Sequence, residues 1–111
     1  MIKVEVSRND NGTISSFEMS GHAESGPYGH DLVCAGASAV SFGALNAVMS
    51  LLDVDLEVSQ GEDGGFLRCV VPETDKDTDE KVQLLLEGML VSLQTIENDY
   101  GKYITIKDRR R

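Results

Sequence analysis

Apolar and polar residues alternate with a period of two in several short stretches of the chain, and such alternation predicts β-strands. Residues 2–6 and 13–19 flank an Asn-Asp-Asn-Gly turn signal, and one break interrupts the alternation of the second stretch. Residues 54–59 and 66–71 form a similar pair around a glycine-rich turn, and residues 103–106 make the last stretch. The pattern therefore predicts two β-hairpins and a C-terminal strand.

The segment Leu32–Leu52 contains no charged residue, and its length alone is that of a membrane span. It is rich in Ala, Gly and Ser, carries Asn46 and runs directly into acidic, strand-like sequence, which favours a buried helix of a soluble domain. We therefore predict a largely buried first helix, whose small residues let strands, the second helix or a second subunit approach closely. Its predicted apolar face consists of Val33, Ala37, Val40, Ala44, Val48 and Leu51.

A second helix is predicted after Pro72. Thr74–Asp75 and Thr78–Asp79 offer N-cap residues, and the helical spacing continues to about Asn98. The predicted apolar face of this helix consists of Val82, Leu85, Leu86, Met89, Leu93 and Ile96. The resulting order, β-β-α-β-β-α-β, predicts a single α+β domain over residues 1–111, with a sheet packed against two helices.

Length and charge narrow the class of protein. A chain of 111 residues supports one domain with its own core. Its formal net charge of -9 argues against nucleic acid as a partner and favours basic proteins instead. The N-terminal residues lack the apolar core of an export signal, so we expect a cytoplasmic protein that keeps Cys34 and Cys69 as free thiols and has no membrane partner.

Candidate chemistry is concentrated in residues 21–39, GHAESGPYGHDLVCAGASA. Cys34 falls in the first turn of the predicted first helix, where backbone N–H groups and the helix dipole stabilise a thiolate and can bind an oxyanion. The alternative is a buried structural cysteine, which is the commoner role of a lone cysteine. Cys69 lies within a predicted strand, away from any helix end, and we predict that it is structural.

Two histidines compete for the role of general base. His22 directly follows the second predicted strand, which can hold the imidazole while the loop returns toward Cys34. His30 lies in the loop itself, beside the predicted helix start. Asp31 is either the N-cap of the helix or a group that orients the imidazole. Ser38 lies one helical turn after Cys34 on the same face.

The loop between these histidines contains Gly26, Pro27, Tyr28 and Gly29, a composition typical of a mobile segment that closes over a substrate. It matches neither of the common glycine-rich phosphate-binding patterns. The histidines and cysteines of the chain also lack the paired spacing of a zinc site. We therefore expect a site without a metal or another cofactor.

The stretch resembles the signature of the bacterial ribosomal-processing cysteine protease family Prp, which follows the pattern GHA…G…D-x-VCA-x-x-S. His22, Asp31, Cys34 and Ser38 fall at the offsets of that pattern. The length of the chain and the predicted order of elements also agree. The resemblance therefore extends over essentially the whole chain.

This resemblance implies a Cys-His dyad with Cys34 as nucleophile and His22 as general base, and acyl transfer in which N–H groups at the helix start stabilise the oxyanion. It gives Asp31 and Ser38 supporting roles, and it matches Gly21 to a position where a missing side chain keeps the site open.

The resemblance further implies a cytoplasmic homodimer that removes the N-terminal extension of a basic protein, large-subunit ribosomal protein twenty-seven, after an apolar segment. The glycine loop is expected to shift and admit this peptide. Two rival hypotheses remain: a non-catalytic peptide-binding ribosome-assembly factor, and a metal-dependent or redox protein that uses both cysteines.

Overall fold

The computed structural model describes residues 1–24, 26, 31–62 and 64–109. Within these residues, strands and helices follow one another in the order predicted from the sequence. The elements are β1 (Ile2–Arg8), β2 (Ile14–Ser20), α1 (Leu32–Leu52), β3 (Glu57–Gln60), β4 (Phe66–Val70), α2 (Lys76–Tyr100) and β5 (Ile104–Lys107). The predicted α+β class is confirmed.

The strands form one sheet with the order β3-β4-β2-β1-β5. Neighbouring strands are antiparallel, except that β1 and β5 run parallel. The pairing aligns Met19 with Val4 on one side and with Leu67 on the other, so these buried side chains share one face of the sheet. The register shifts between Ser7 and Arg8, and the extra residue in β2 explains the break in its alternation.

One hydrophobic core joins the inward face of the sheet to both helices. The two helices also pack against each other, and α2 contacts β5 and β2. Fully burying a large side chain such as Phe17, Leu45 or Leu86 contributes roughly 1.5–3 kcal/mol. Ala23 and Val33 belong to this core, which ties the start of α1 to the residues that follow β2.

In the single chain, only one face of helix α1 is buried. The prediction of a largely buried helix is therefore wrong for the single chain. Leu51, predicted on the apolar face, is 73% exposed, and Leu32 is 69% exposed. The helix is long and apolar enough to cross a membrane, yet here it packs on α2 and on the core. A helix that is rich in Ala, Gly and Ser can lack charged residues and still be largely exposed. The buried residues are Val33, Ala37, Ser41, Leu45 and Val48.

The buried face of α2 is close to the predicted one. Val82, Leu86, Met89, Leu90 and Leu93 are buried, whereas Leu85 and Ile96 are partly buried against the core. Asp75 caps the helix and accepts a hydrogen bond of 2.9 Å from the N–H of Thr78. The helix ends at Tyr100, two residues beyond the predicted end.

Strand β3 begins at Glu57, three residues later than predicted. Val54 and Leu56 are buried, which gives them the apolar pattern of a strand, but they lie outside the sheet ladder. Asp53 ends α1 in the left-handed conformation, with a φ of 53°. Val54 and Leu56 therefore fill the core where the chain passes from the helix to the sheet.

A buried ionic cluster lies at the end of β1, and we call Arg8, Glu87 and Asp108 the Arg8 cluster. The guanidinium of Arg8 donates hydrogen bonds of 2.7 and 3.0 Å to Glu87 and two of 2.8 Å to Asp108. The side chains of Arg8 and Asp108 are 4% and 2% exposed. A further Arg8 N–H donates to the carbonyl of Gly12 at 2.8 Å. The cluster joins β1, α2 and the chain after β5.

Candidate active site

Cys34 lies in the first turn of α1, as the sequence predicts. Asp31 is the N-cap, and its carboxylate accepts a hydrogen bond of 3.0 Å from the N–H of Cys34. The N–H of Ala35 donates to the backbone carbonyl of Asp31 at 3.0 Å. Capping is therefore the observed role of Asp31, one of the two roles that the sequence left open.

The residues after β2 carry His22 to the start of α1. Gly21 has a φ of 87°, and a Cβ there would overlap the carbonyl oxygen of Met1. Its N–H donates to the carbonyl of Gly65 at 2.9 Å. Glycine is thus required by the backbone path, which is a different reason from the open site that the resemblance implied. His22 follows with an exposed side chain.

The turn after His22 brings the backbone against the sulfur of Cys34. The N–H of Ala23 donates to Cys34 Sγ at 3.1 Å. Glu24 has a left-handed φ of 57°, which is uncommon for a residue other than glycine. Among the described residues, no hydrogen bond joins His22 to Cys34 directly. The two side chains instead face common cavities.

A pocket of about 510 Å³ brings the predicted site residues together. Its size is within the usual range for ligand pockets. The lining contains the proposed dyad together with Asp31, Ser38 and one residue of the glycine loop. The lining residues are His22, Glu24, Gly26, Asp31, Cys34, Ala35 and Ser38.

A second pocket, of about 290 Å³, lies on the sheet side of the same residues. His22, Cys34 and Ser38 line both pockets, so they form the wall between them. The second pocket is otherwise bounded mainly by apolar side chains and by the turn that joins β3 to β4. These further residues are Ile2, Met19, Gly21, Phe42, Gln60, Gly64, Gly65, Phe66 and Leu67. An extended peptide across Cys34 would contact both pockets.

The surroundings of Cys34 raise the pKa of its thiol. Burial raises its pKa most, and the hydrogen bond and charge of Asp31 raise it further. The N–H groups of Ala23 and Glu24 act in the opposite direction, but the net shift is upward. The expected depression of the pKa at the helix start is thus overcome by the capping carboxylate and by burial.

Other predicted residues fall elsewhere. Cys69 is fully buried in β4, as expected for a structural cysteine, and both cysteines are free thiols. Among the described residues, no three side chains of His, Cys, Asp or Glu lie close enough together to hold a metal ion. The competing base, His30, and the loop residues Pro27, Tyr28 and Gly29 lie outside the described residues.

Sequence reasoning missed two parts of the site. It did not single out Ala23 and Glu24, because they act through backbone N–H groups and glutamate gives no local sign of a left-handed conformation. It also missed the apolar pocket, to which Met19, Phe42 and Phe66 contribute from three different elements. Only knowledge of the strand order brings those residues together.

Comparison with known proteins identifies the family of this chain. The family model for cysteine protease Prp matches residues 1–105. This chain belongs to the Prp family. The ribosomal processing cysteine protease Prp of Bacillus subtilis (strain 168) is 50% identical over 101 residues, which are 90% of each chain. Its counterpart in Staphylococcus aureus (strain Mu50) is 44% identical over 106 residues, 96% of this chain and 97% of that protein.

Solved Prp structures have the same fold. The crystal structure of the essential ribosomal processing protease Prp from S. aureus with a covalently linked product peptide has a TM-score of 0.89 and 43% identity. The same enzyme with a substrate peptide has a TM-score of 0.81 and 40% identity. Each match covers 96% of this chain and 98% of the other. The chain is therefore a Prp-type cysteine protease in sequence and in fold.

Proposed function

We propose that this Prp-family protease is an endopeptidase in which Cys34 is the nucleophile and His22 is the general acid and base. The observation that carries the proposal is the shared wall: both side chains line both pockets, at the start of α1. Cys69 is fully buried and offers no access to a peptide. Ser38, on the same wall, has a supporting role.

The raised pKa of Cys34 indicates how the reaction starts. Because burial and Asp31 raise the pKa of the Cys34 thiol, we assign its proton to His22, which accepts it while the sulfur attacks the scissile carbonyl carbon. The oxyanion then collapses, and His22 returns the proton to the leaving amine. A water molecule, deprotonated by His22, hydrolyses the thioester and releases the acid product and the Cys34 thiol.

The proposed substrate is the N-terminal extension of a basic large-subunit ribosomal protein, protein twenty-seven. The net charge of -9 suits a basic protein, and the apolar second pocket suits an apolar segment before the cut. The S. aureus relative was solved with substrate and with product peptide, the latter covalently linked. Covalent linkage favours a protease over the alternative, a non-catalytic peptide-binding assembly factor.

The decisive experiment is incubation with the extended ribosomal protein, followed by mass analysis of the new N-terminus. We expect Cys34→Ala to abolish cleavage and His22→Ala to lower turnover about 10²–10⁴-fold. Cys69→Val and His30→Ala are the matched controls and should retain most turnover. Cleavage by folded Cys34→Ala would overturn the nucleophile assignment, and a larger loss in His30→Ala than in His22→Ala would move the base to the loop.

We further propose a cytoplasmic homodimer. The exposed apolar side chains of Leu32 and Leu51 on α1 favour contact with a second copy, because the helix has no charged residue that would favour its exposure to solvent. Two free cysteines suit a reducing compartment. Light scattering after size exclusion should give twice the chain mass, and a monomer at micromolar concentration would contradict the dimer. Fractionation of cells should recover the protein with cytosolic markers.

A further inference from the structure

Two N–H groups at the start of α1 are already engaged in hydrogen bonds. The N–H of Cys34 is engaged by the carboxylate of Asp31 at 3.0 Å. The N–H of Ala35 is engaged by the backbone carbonyl of the same residue at 3.0 Å. Both groups are thus committed to capping and to the helix.

Another element does point donors at the sulfur. The N–H of Ala23 donates to Cys34 Sγ at 3.1 Å. The N–H of Glu24 is the next donor along the chain, and it acts on the same sulfur by lowering the pKa of the thiol. Two consecutive backbone N–H groups that converge on one atom form a nest, a common binding arrangement for anions.

The backbone path explains why both N–H groups converge. Glu24 has a φ of 57°, and Gly21 has a φ of 87°. Gly21 is held to the β3–β4 turn by its hydrogen bond to Gly65. Ala23, which lies between Gly21 and Glu24, is 3% exposed. A left-handed conformation strains a glutamate, and such strain persists where the surrounding structure holds it.

We propose that Ala23 and Glu24 are positioning residues, whose two backbone N–H groups hold the sulfur of Cys34 and stabilise its negative charge when its proton has passed to His22. We call this pair of N–H groups the anion cradle. The inference rests on the proposed function only in taking Cys34 as the nucleophile. No side chain of the cradle takes part in the reaction, and the sulfur keeps the electron pair of the former S–H bond.

Three charged or titratable side chains among the described residues face the sulfur: His22, Glu24 and Asp31. Asp31 opposes the thiolate, whereas the protonated imidazole of His22 favours it. The sheet-side pocket contributes no further charged group from the described residues. A test of the cradle must therefore keep His22 and Asp31 and must treat the charge of Glu24 separately from its backbone.

Glu24→Gly and Glu24→Val form the matched pair for this test. Both remove the carboxylate, so their charge is the same. Glycine adopts a φ of 57° without strain and keeps the N–H in place, whereas a β-branched residue is strongly disfavoured there. Valine should therefore turn the backbone and withdraw the N–H of residue 24 from the sulfur.

The measurement is the rate at which a small disulfide reagent modifies Cys34 between pH 6 and pH 10, with buried Cys69 as an internal reference. Loss of a hydrogen bond to the charged sulfur should raise the apparent pKa of Cys34 by roughly one unit. Because a more basic thiolate is also more nucleophilic, the rate at pH 7 should fall only about threefold. Glu24→Gly should not show this rise.

Identical pH profiles for folded Glu24→Gly and Glu24→Val would overturn the cradle. If the valine protein does not fold, an ester analogue replaces it, in which the N–H of residue 24 becomes an oxygen. Such a chain can be made by joining a synthetic 1–33 segment to residues 34–111, because Cys34 supplies the ligation thiol. The all-amide ligated protein is its control, and equal profiles for the two would again overturn the proposal.

The assay uses no substrate, so its outcome is independent of peptidase activity. If the wild-type chain fails to cleave the ribosomal protein but the valine and glycine proteins differ in pH profile, the proposed substrate is wrong and the cradle stands. If cleavage depends on Cys34 but the profiles coincide, the proposed function stands and the cradle is wrong.

Discussion

The polar groups at the two ends of strand β1 differ in how they are bonded. At one end, Arg8 is buried and its guanidinium is fully engaged by Glu87, Asp108 and a backbone carbonyl. At the other end, roughly 20 Å away along the strand, Ile2 borders a pocket that also contains Cys34 and His22. One end uses its charges to hold three elements together, and the other leaves reactive groups facing a cavity.

This difference shows where the molecule carries strain. The hydrogen bonds of Arg8 to Asp108, and then to Glu87, raise the pKa of the guanidinium above its usual value, as expected when charge is well satisfied. The site end instead contains Glu24, a residue other than glycine with positive φ, and a thiol whose burial raises its pKa. Stability should therefore depend mainly on the first end, and turnover on the second.

The largest expected effect on stability is from Arg8→Met. Removing Arg8 leaves the carboxylate of Asp108, whose side chain is 2% exposed, without its main counter-charge, which costs about 3–5 kcal/mol. The side chain of Glu87 is 35% exposed, so water compensates part of its loss. Urea unfolding should report this loss. Turnover at a temperature where the variant remains folded should stay near the wild-type value, because the cluster does not border the site.

The matched control is Arg68→Met. Arg68 pairs with Glu18 at 3.5 Å, and the two side chains are 46% and 35% exposed. A solvent-exposed pair is worth at most about 1 kcal/mol. A loss in Arg8→Met no larger than that in Arg68→Met would remove the contrast between the two ends of β1.

Local signals predicted most of the fold and the position of the site. Alternation over a few residues predicted the strands, and the carboxylates of Asp31 and Asp75 marked both helix starts. The motif in residues 21–39 placed His22 and Cys34 at element ends that meet in space. Each of these features is encoded within about one element of the chain, so no tertiary information was needed.

Features that join distant parts of the chain could not be predicted in this way. The Arg8 cluster links residues that are 79 and 100 positions apart, and no pattern along the sequence brings them together. The parallel pairing of β1 with β5 and the exposed face of α1 could not be predicted for the same reason. The raised pKa of Cys34 depends on burial and on the carboxylate of the cap, which only coordinates supply.

Gly21→Ala should have a smaller effect, and this effect should appear in both stability and turnover. A left-handed φ costs an alanine about 1–2 kcal/mol, and its Cβ would also meet the carbonyl oxygen of Met1. We expect a loss of about 2 kcal/mol in unfolding free energy together with reduced turnover, because His22 directly follows. Urea unfolding and the cleavage assay measure the two.

Gly88→Ala is the control for this prediction. Gly88 lies in α2, and a Cβ there meets no atom within 4 Å. Alanine in a helix interior should stabilise the protein by about 0.5–1 kcal/mol, with turnover unchanged. If Gly21→Ala behaves like Gly88→Ala, the backbone path before His22 is not constrained as the geometry indicates.

The smallest expected effect concerns Cys69, in the core between the two ends. Burial raises the pKa of its thiol to about 11, whereas an unfolded chain releases that proton near pH 8.5, roughly the ordinary value. Between these values the folded state keeps a proton that the unfolded state loses, so the free energy of unfolding falls as the pH rises. The loss should be absent below about pH 8 and reach about 1.4 kcal/mol by pH 9.5.

Two variants isolate the contribution of the Cys69 thiol to the pH dependence of stability: Cys34→Ala, and Cys34→Ala combined with Cys69→Val. Lysine and tyrosine side chains titrate equally in both, so only the difference between their stability curves belongs to Cys69. Urea unfolding at pH 7.5 and pH 9.5 should show a steeper loss in the single variant. Parallel curves would mean that the buried thiol is not protected by folding.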